Sequence, residues 1–247
     1  DTTVTLGIQR NDNPELIYIE VQRRAIEQET VKTELMTIGD KKIGYLQVTT
    51  FGENTANEFK EGIESLENQG MESLVVDLRN NSGGYLTSVV EMVDYILPPD
   101  KVVTTIENRE GKGTQYMTSS GGKDYEVVTL INEGRASASE IFAAAMKEAG
   151  GYPVIGTTSY GKGTVQVSMP LDDHSSLKLT TQVWKTPDGN WINEVGVEPT
   201  LVVEAPEFYY YYQVYLTDGK SLEYDMVDSS IANAQNILTA LGYQVGR

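Results

Sequence analysis

The chain has 247 residues, a formal net charge of −17 at pH 7, 39% hydrophobic residues and 22% charged residues. Such an acidic chain repels a phosphate backbone, so its charge argues against nucleic acid as a partner. No cysteine and only one histidine are present, which excludes disulfide frameworks and thiolate metal sites. No apolar run approaches the roughly 18 residues of a membrane span, and we expect a soluble chain.

Apolar and polar residues alternate on both sides of a turn-forming segment near the N-terminus. Val4, Leu6 and Ile8 precede the turn residues 11–14, and a second strand-like run covers residues 16–21. This pattern predicts a β-hairpin. An isolated two-stranded hairpin is only marginally stable, so we expect it to pack against another part of the protein.

Strand-like and helix-like segments alternate from residue 42 onward. Residues 42–51 predict a strand, residues 55–69 a helix, residues 74–78 a buried strand and residues 86–97 a second helix. This alternation predicts an α/β domain with a parallel sheet. Further strands are expected at 127–131, 152–155, 164–169 and 177–183, with a hairpin at 102–118 and a helix after Ser137.

A serine stands directly before the clearest helix-like segment. Glu140 follows Ser137 by three residues, which is the pattern of a capping box. Capping is the commoner role of such a serine, but a helix N-terminus also offers free N–H groups and partial positive charge where an oxyanion could form. Ser139 is a rival hydroxyl, and the residues alone do not separate the two serines.

A lysine flanked by glycines is the second chemical signal. Lys162 lies between Gly161 and Gly163, which leave room for the close approach of a substrate. A lysine in a surface turn is the ordinary alternative, because a lysine base needs burial without a carboxylate partner. Gln166 could hold the amine without charging it, but a straight strand would place it about 13 Å away at ~3.3 Å per residue. The chain must therefore bend for the two side chains to meet.

Two other kinds of site are disfavoured. Residues 156–162 approach the spacing of a phosphate-binding loop, but Gly163 takes the position that needs Ser or Thr, and residues 164–168 alternate like a strand where a helix is required. His174 lies in a polar turn, and a single histidine does not build a zinc site without further ligands. We expect no metal and no cofactor.

The polar turn at residues 79–84 follows a buried strand and precedes a helix. Its backbone N–H groups could point into the crevice that receives Ser137. An ordinary glycine turn is an equally good interpretation of this segment alone.

Three segments together resemble the carboxyl-terminal processing (tail-specific) proteases. They are residues 77–84 (DLRNNSGG), 136–141 (ASASEI) and 160–166 (YGKGTVQ), and the 25-residue interval from Ser137 to Lys162 agrees with that family's pattern. The similarity runs from about Ile43 to Val203. It implies an α/β fold with a crotonase-like (ClpP/crotonase) protease core, serine endopeptidase activity without metal or cofactor, and protein or peptide substrates with apolar C-terminal tails.

The resemblance also implies roles for single residues. Ser137 would be the nucleophile, in preference to Ser139, with Lys162 as general base and Gln166 as the orienting partner of the lysine. The backbone N–H groups implied for the oxyanion hole are those of Ala138, Gly83 and Gly84, with the donor glycine undecided.

The two ends of the chain depart from the family pattern. A PDZ domain precedes the core in such proteases, but residues 1–32 resemble only a residual PDZ β-hairpin and a linker. Residues 33–205 would be the Ser–Lys core and residues 206–247 a C-terminal helical segment. The resemblance implies an extracytoplasmic, bacterial-type location and is compatible with a homodimer. The rival hypothesis is a catalytically silent scaffold of the same fold that holds extended polypeptide by strand addition.

Overall fold

The computed structural model describes residues 2–10, 15–24 and 28–204, which form three separate sheets and three α-helices. The strands are β1 (Thr3–Ile8), β2 (Ile17–Gln22), β3 (Val31–Ile38), β4 (Lys41–Val48), β5 (Ser73–Asp77), β6 (Val102–Asn108), β7 (Gly113–Met117), β8 (Val127–Ile131), β9 (Val154–Gly156), β10 (Thr164–Pro170), β11 (Ser176–Lys185) and β12 (Leu201–Val202). The helices are α1 (Thr55–Asn68), α2 (Leu86–Ile96) and α3 (Ala138–Ala144), and a π-helical turn at Ala145–Ala149 continues α3.

The largest sheet has six strands in the order β12-β9-β8-β5-β4-β3. Five of them are parallel, as the alternation of strands and helices predicted, and β3 is antiparallel to β4. The central strand β5 buries Leu74, Val75 and Val76 in succession, because both faces of a parallel strand are covered. Strand β3 was not predicted. It begins at Val31, so this sheet starts just before the expected core boundary at residue 33.

The helices bury the apolar stripes that their sequences predicted. Helix α1 buries Phe59, Ile63 and Leu66, and the ring of Phe59 lies edge-to-face against Phe142 of α3 with centroids 6.1 Å apart. The main hydrophobic core joins these helices to strands of the six-stranded sheet and to Trp184 of β11. The start of α3 is therefore fixed by the core of the protein.

A second sheet has four antiparallel strands in the order β10-β11-β6-β7. The strands were predicted close to their observed positions, but no local pattern indicated that β10 and β11 leave the parallel sheet. Strand β10 is the edge strand that follows the glycine-flanked lysine. A β-bulge interrupts its pairing with β11 between Val165 and Gln166.

The predicted N-terminal hairpin is confirmed as a separate sheet of β1 and β2, in which Leu6 lies opposite Ile19. The C-terminal segment expected at residues 206–247 lies outside the described residues. Within the part of the chain that the structure describes, no helix is long and apolar enough to cross a membrane.

Candidate active site

One buried carboxylate joins the two segments that the sequence predicted to form a site. Glu140 Oε2 accepts the backbone N–H of Ser137 at 2.7 Å and the backbone N–H of Lys162 at 2.9 Å. The two backbone nitrogens are therefore at most about 5.6 Å apart, the sum of these 2.7 and 2.9 Å bonds. The fold brings Ser137 and Lys162 together across 25 residues of sequence.

The second oxygen of the same carboxylate also accepts two hydrogen bonds. Glu140 Oε1 accepts the Ser159 hydroxyl at 2.5 Å and the Gly161 N–H at 2.7 Å, and the side chain is fully buried. A buried carboxylate is stable only when donors compensate for its lost hydration, and here four donors do so. The predicted capping box of Ser137 and Glu140 is confirmed. The structure adds that Glu140 also holds the segment of the lysine.

Ser137 has a backbone conformation that side-chain-bearing residues rarely adopt. Its φ of 58° and ψ of −118° place it in a sharp turn directly before α3. Such strain costs of order 1–3 kcal/mol and persists where the surrounding structure imposes it, often at functional sites. A serine on a strained turn before a helix presents its hydroxyl clear of the backbone, as the nucleophile of α/β-hydrolases does.

Replacing Ser137 by glycine is expected to raise the free energy of unfolding by about 1 kcal/mol, because glycine adopts this conformation without steric cost. The gain is smaller than the strain, since glycine also loses more conformational entropy on folding. Ser137→Ala is the matched control, because it removes the hydroxyl but keeps the Cβ. Chemical denaturation of both variants measures the difference. A glycine variant no more stable than the alanine variant would show that the turn is unstrained.

The two serines that the sequence left undecided have different environments. Ser139 is fully buried, and its hydroxyl donates to the carbonyl of Asn81 at 2.9 Å. The same carbonyl accepts the N–H of Ala136 at 3.2 Å. Ser139 therefore ties α3 to the polar turn, whereas Ser137 is only half-buried.

The polar turn contacts the start of α3 closely at Gly83. A Cβ on Gly83 would lie 2.7 Å from the carbonyl oxygen of Ala136, 2.9 Å from Ser137 Cβ and 3.0 Å from the backbone nitrogen of Ala138. The φ of Gly83 is also +99°, so both space and conformation require glycine here. The turn and Ser137 are in van der Waals contact, as the sequence interpretation required.

Two N–H groups, one in the polar turn and one directly after Ser137, have no protein acceptor among the described residues. They belong to Gly84 and to Ala138, the first residue of α3. The N–H of Gly83 donates to Asn81 Oδ1 at 2.8 Å. Asn81 is itself fully buried and donates from Nδ2 to the carbonyl of Val48 at 2.9 Å, which fixes the turn against β4.

We expect Gly83→Ala to lower kcat at least about 100-fold, because the new methyl group must displace Ser137 or the N–H groups beside it. Gly111→Ala is the matched control: Gly111 has a φ of +74°, and a Cβ there would meet no atom within 4 Å. Both variants place alanine at an unfavourable positive φ, but only Gly83→Ala also introduces a steric clash at Ser137. Kinetics and thermal unfolding of both measure the effect, and equal kcat values would contradict the assignment of the turn to the site.

The chain's two tryptophans both bind the lysine loop, which we define as residues 161–163. The indole N–H of Trp184 donates to the carbonyl of Lys162 at 2.8 Å, and that of Trp191 donates to the carbonyl of Gly163 at 2.9 Å. Trp184 is fully buried. Sequence reasoning missed both contacts.

The other backbone groups of the lysine loop are also paired. The carbonyl of Gly161 accepts the N–H of Glu194 at 2.8 Å, and the N–H of Gly163 donates to Asn193 Oδ1 at 3.2 Å. The side-chain amine of Lys162, in contrast, forms no hydrogen bond or ion pair with any described residue. The backbone of the loop is held by hydrogen bonds, while its amine has no carboxylate partner in the described part of the chain.

Gln166 is exposed on β10, directly after the β-bulge. Its Nε2 donates to Thr180 Oγ1 at 3.3 Å. The pairing of Gln166 with Lys162 that the resemblance implied is therefore absent from this arrangement, and forming it requires Gln166 to leave Thr180. The role of Gln166 stays a prediction.

A buried arginine next to the site was not anticipated. Arg135 is fully buried, Nη1 donates to the carbonyl of Ser139 at 3.2 Å, and Nε and Nη2 have no hydrogen-bond partner within residues 2–10, 15–24 and 28–204. Burial lowers the pKa of Arg135 to about 9, and the negative charge of Glu140 opposes this shift. Arg135 thus places positive charge near the buried carboxylate.

The structure does not bring together residues for a metal site or a nucleotide site within its described part. His174 is exposed in the turn between β10 and β11, as predicted. Within residues 2–10, 15–24 and 28–204, no group of three or more His, Asp or Glu side chains could hold a metal ion. Residues after the near-match to a phosphate-binding loop form the strand β10, which agrees with the rejection of a nucleotide site.

Comparison with known proteins agrees with the resemblance. The chain is 38% identical over 247 residues to the carboxy-terminal processing protease CtpB of Bacillus subtilis (strain 168), covering 100% of this chain and 51% of that protein. It is 36% identical over 230 residues to CtpA of the same strain, covering 93% of this chain and 48% of that protein. The chain therefore spans about half the length of these curated relatives.

A solved structure of a photosystem II D1 C-terminal processing protease is similar over 83% of this chain and 56% of that chain, with a TM-score of 0.67 and 26% identity. A family model, Peptidase family S41, matches residues 42–203, well over half of the chain. The matched region contains the polar turn, Ser137, Glu140 and the lysine loop. The chain belongs to peptidase family S41.

Proposed function

We propose that this chain is a serine endopeptidase in which Ser137 is the nucleophile and Lys162 the general base, and that it cleaves polypeptides at or near their C-terminal tails. The observation that carries the proposal is the shared carboxylate of Glu140, which holds the backbones of both residues while the Lys162 amine has no carboxylate partner among the described residues. A serine and a lysine can perform acyl transfer without a metal or cofactor. The names of the curated relatives describe carboxy-terminal processing in those proteins.

In the proposed mechanism, the Lys162 amine accepts the Ser137 proton as the hydroxyl oxygen attacks the substrate carbonyl. The lysine then delivers this proton to the leaving amine, which leaves an acyl-enzyme. Water, deprotonated by the same amine, attacks the ester carbonyl, and the lysine returns this proton to the departing Ser137 oxygen, which releases the carboxylic acid product and restores the hydroxyl. Gln166 would orient the amine once it has left Thr180.

We assign the oxyanion hole to the N–H groups of Ala138 and Gly84. Both lack an acceptor among the described residues; Ala138 directly follows Ser137, and Gly84 follows Gly83, which packs against the Cβ of Ser137. Gly83 is the poorer candidate because its N–H already donates to Asn81. Donors fixed before the reaction stabilise the developing charge without reorganisation.

We further infer that the core is crotonase-like and that β1 and β2 are the residual PDZ hairpin. Support comes from their separation from the other sheets and from apolar side chains such as Leu6 and Ile19, which are 44% and 41% exposed. The domain limits 1–32, 33–205 and 206–247 belong to this proposal. The proposal also includes a preference for substrates with apolar C-terminal tails, assembly as a homodimer and an extracytoplasmic location.

The test is cleavage of an unfolded polypeptide with an apolar C-terminal tail, followed by mass spectrometry of the fragments. We expect the chain to cleave it in the presence of a chelator and Ser137→Ala to be inactive. Ser65→Ala, on the exposed face of α1, is the control for loss of a hydroxyl. Equal cleavage by the chain and Ser137→Ala would reject Ser137 as nucleophile. Binding without cleavage by either protein would favour the silent scaffold.

A further inference from the structure

Strands β10 and β11 extend beyond the four-stranded sheet as a two-stranded ribbon, which we define as residues 166–181. Every residue of this ribbon is exposed. Strand β11 pairs with β6 only from Gln182 to Lys185, so the ribbon has no sheet neighbour on that side among the described residues. The ribbon is therefore stabilised chiefly by its own pairing.

One face of the ribbon is apolar. Val167 pairs with Leu179 and Met169 with Leu177, and residues directly opposite each other in an antiparallel pair share a face. These four side chains are 42–47% exposed, and none belongs to either hydrophobic core of the described residues. Ser168 and Lys178 are paired on the opposite face. A contiguous exposed apolar face indicates a binding surface.

The outer edge of β10 is open along the same stretch. Strand β10 is the last strand of its sheet, so within the described residues its outward N–H and C=O groups have no strand partner. Natural edge strands usually carry charges that prevent pairing with other chains. The two strands of the ribbon carry only one charge, Lys178, in a chain with a net charge of −17. The bulge before Gln166 and the proline at 170 limit the open stretch to about four residues.

The open edge lies next to the proposed catalytic lysine. Strand β10 begins at Thr164, two residues after Lys162. An extended polypeptide that pairs with this edge lies next to the lysine loop, and its alternate side chains fall on the same face as Val167 and Met169. An uncharged, apolar strip suits an uncharged, apolar polypeptide segment.

We propose that the outer edge of β10 binds the substrate polypeptide by strand addition, and that Val167 and Met169 select segments with apolar residues at alternate positions. The occupant is an extended segment of substrate next to the scissile bond. Main-chain hydrogen bonds supply affinity, and the apolar face supplies selectivity. This inference rests on the proposed function, because it names how that site holds its substrate.

The test measures binding separately from cleavage, in the full chain carrying Ser137→Ala. The probe is a fluorescein-labelled peptide about twelve residues long with leucine at alternate positions and serine between them. We expect Val167→Thr with Met169→Thr to raise its Kd about tenfold, because threonine keeps strand propensity but removes apolar contact. Ser168→Thr with Lys178→Thr, on the opposite face, is the matched control and should leave the Kd unchanged.

A second probe tests the main-chain bonds. The same peptide N-methylated at alternate residues loses backbone donors, and we expect it to bind at least about tenfold more weakly. Equal Kd values for both probes, or for both double variants, would overturn the proposal. Analytical ultracentrifugation tests whether the apolar face binds a second copy of this chain instead. A ribbon variant with an altered oligomeric state but unchanged peptide binding would show that it does, and would also overturn the proposal.

Failure of the proposed function gives a different result. Cleavage of a peptide too short to reach β10 depends on Ser137 and Lys162 but not on the ribbon. If the ribbon variants lower kcat/KM for the long peptide and not for the short one, the strand-addition site is supported. If neither peptide is cleaved but binding still depends on Val167 and Met169, the catalytic proposal fails while the binding site stands.

Discussion

Lys162→Met is expected to lower kcat for polypeptide cleavage by about 10³-fold or more. Methionine has a similar length and fills similar space, so the lysine loop should keep its bonds to Glu140, Trp184 and Trp191. What disappears is the amine, for which no other described group near Ser137 substitutes as a base. KM should change little, because the amine acts on the serine proton and not on the substrate. Steady-state kinetics of the two proteins measure the effect.

Two controls accompany this variant. Lys162→Arg introduces a guanidinium that stays protonated and does not accept the Ser137 proton, so it should be as inactive as Lys162→Met. Lys112→Met removes a surface lysine that is paired with Glu110, and its kcat should equal that of the unmodified chain. Full activity of either Lys162 variant, with unfolding unchanged, would show that the proton goes elsewhere.

Glu140→Gln is expected to lower kcat at least about 100-fold and to reduce the free energy of unfolding by about 2 to 4 kcal/mol. The carboxylate accepts four donors, and an amide NH₂ group in place of one oxygen faces two of them without accepting. Each buried donor left without an acceptor costs about 1–3 kcal/mol. The variant also leaves the buried Arg135 without its nearby opposite charge. Because the same oxygen holds Ser137 and Lys162, both shift.

Glu58→Gln provides the matched control for a multiply bonded carboxylate. Glu58 Oε2 accepts the N–H and hydroxyl of Thr30 and the N–H of Val31, which join α1 to the start of β3. We expect this variant to lose about 1 kcal/mol of stability and to keep its kcat. Chemical denaturation and kinetics of both variants separate positioning from general destabilisation. If Glu140→Gln loses no more kcat than Glu58→Gln, the shared carboxylate does not position the pair.

Local periodicity explains which elements could be predicted. Helix α1 buries Phe59, Ile63 and Leu66 because residues three and four apart share a helix face, and this spacing is visible in the sequence. The buried strand β5 was equally visible as an apolar run. Strand β3 was missed because it is an edge strand: Lys32, Thr33 and Glu34 are exposed in succession and conceal the alternation.

Local sequence patterns do not predict which strands pair with each other. The pairing of β11 with β6 joins segments about 75 residues apart, so the four-stranded sheet depends on tertiary packing and not on periodicity. The lysine loop is held in the same non-local way, by indoles of Trp184 and Trp191 that follow it in the chain.

In the candidate site, too, local contacts could be predicted and non-local contacts could not. The capping box was visible because Ser137 and Glu140 lie one helical turn apart. The hydrogen bond from the Lys162 N–H to Glu140 could not be predicted. The sequence around a buried carboxylate does not indicate which distant N–H groups will donate to it. The resemblance paired Ser137 with Lys162, and the structure supplies a physical link between their backbones.

The most direct test of a Ser137 activated by Lys162 is its reaction with a serine-directed fluorophosphonate, followed by peptide mapping with mass spectrometry. We predict one adduct, on Ser137, formed at a rate that falls at least about 100-fold in Lys162→Met. An adduct on a different serine, or equal labelling rates in the two proteins, would contradict the account.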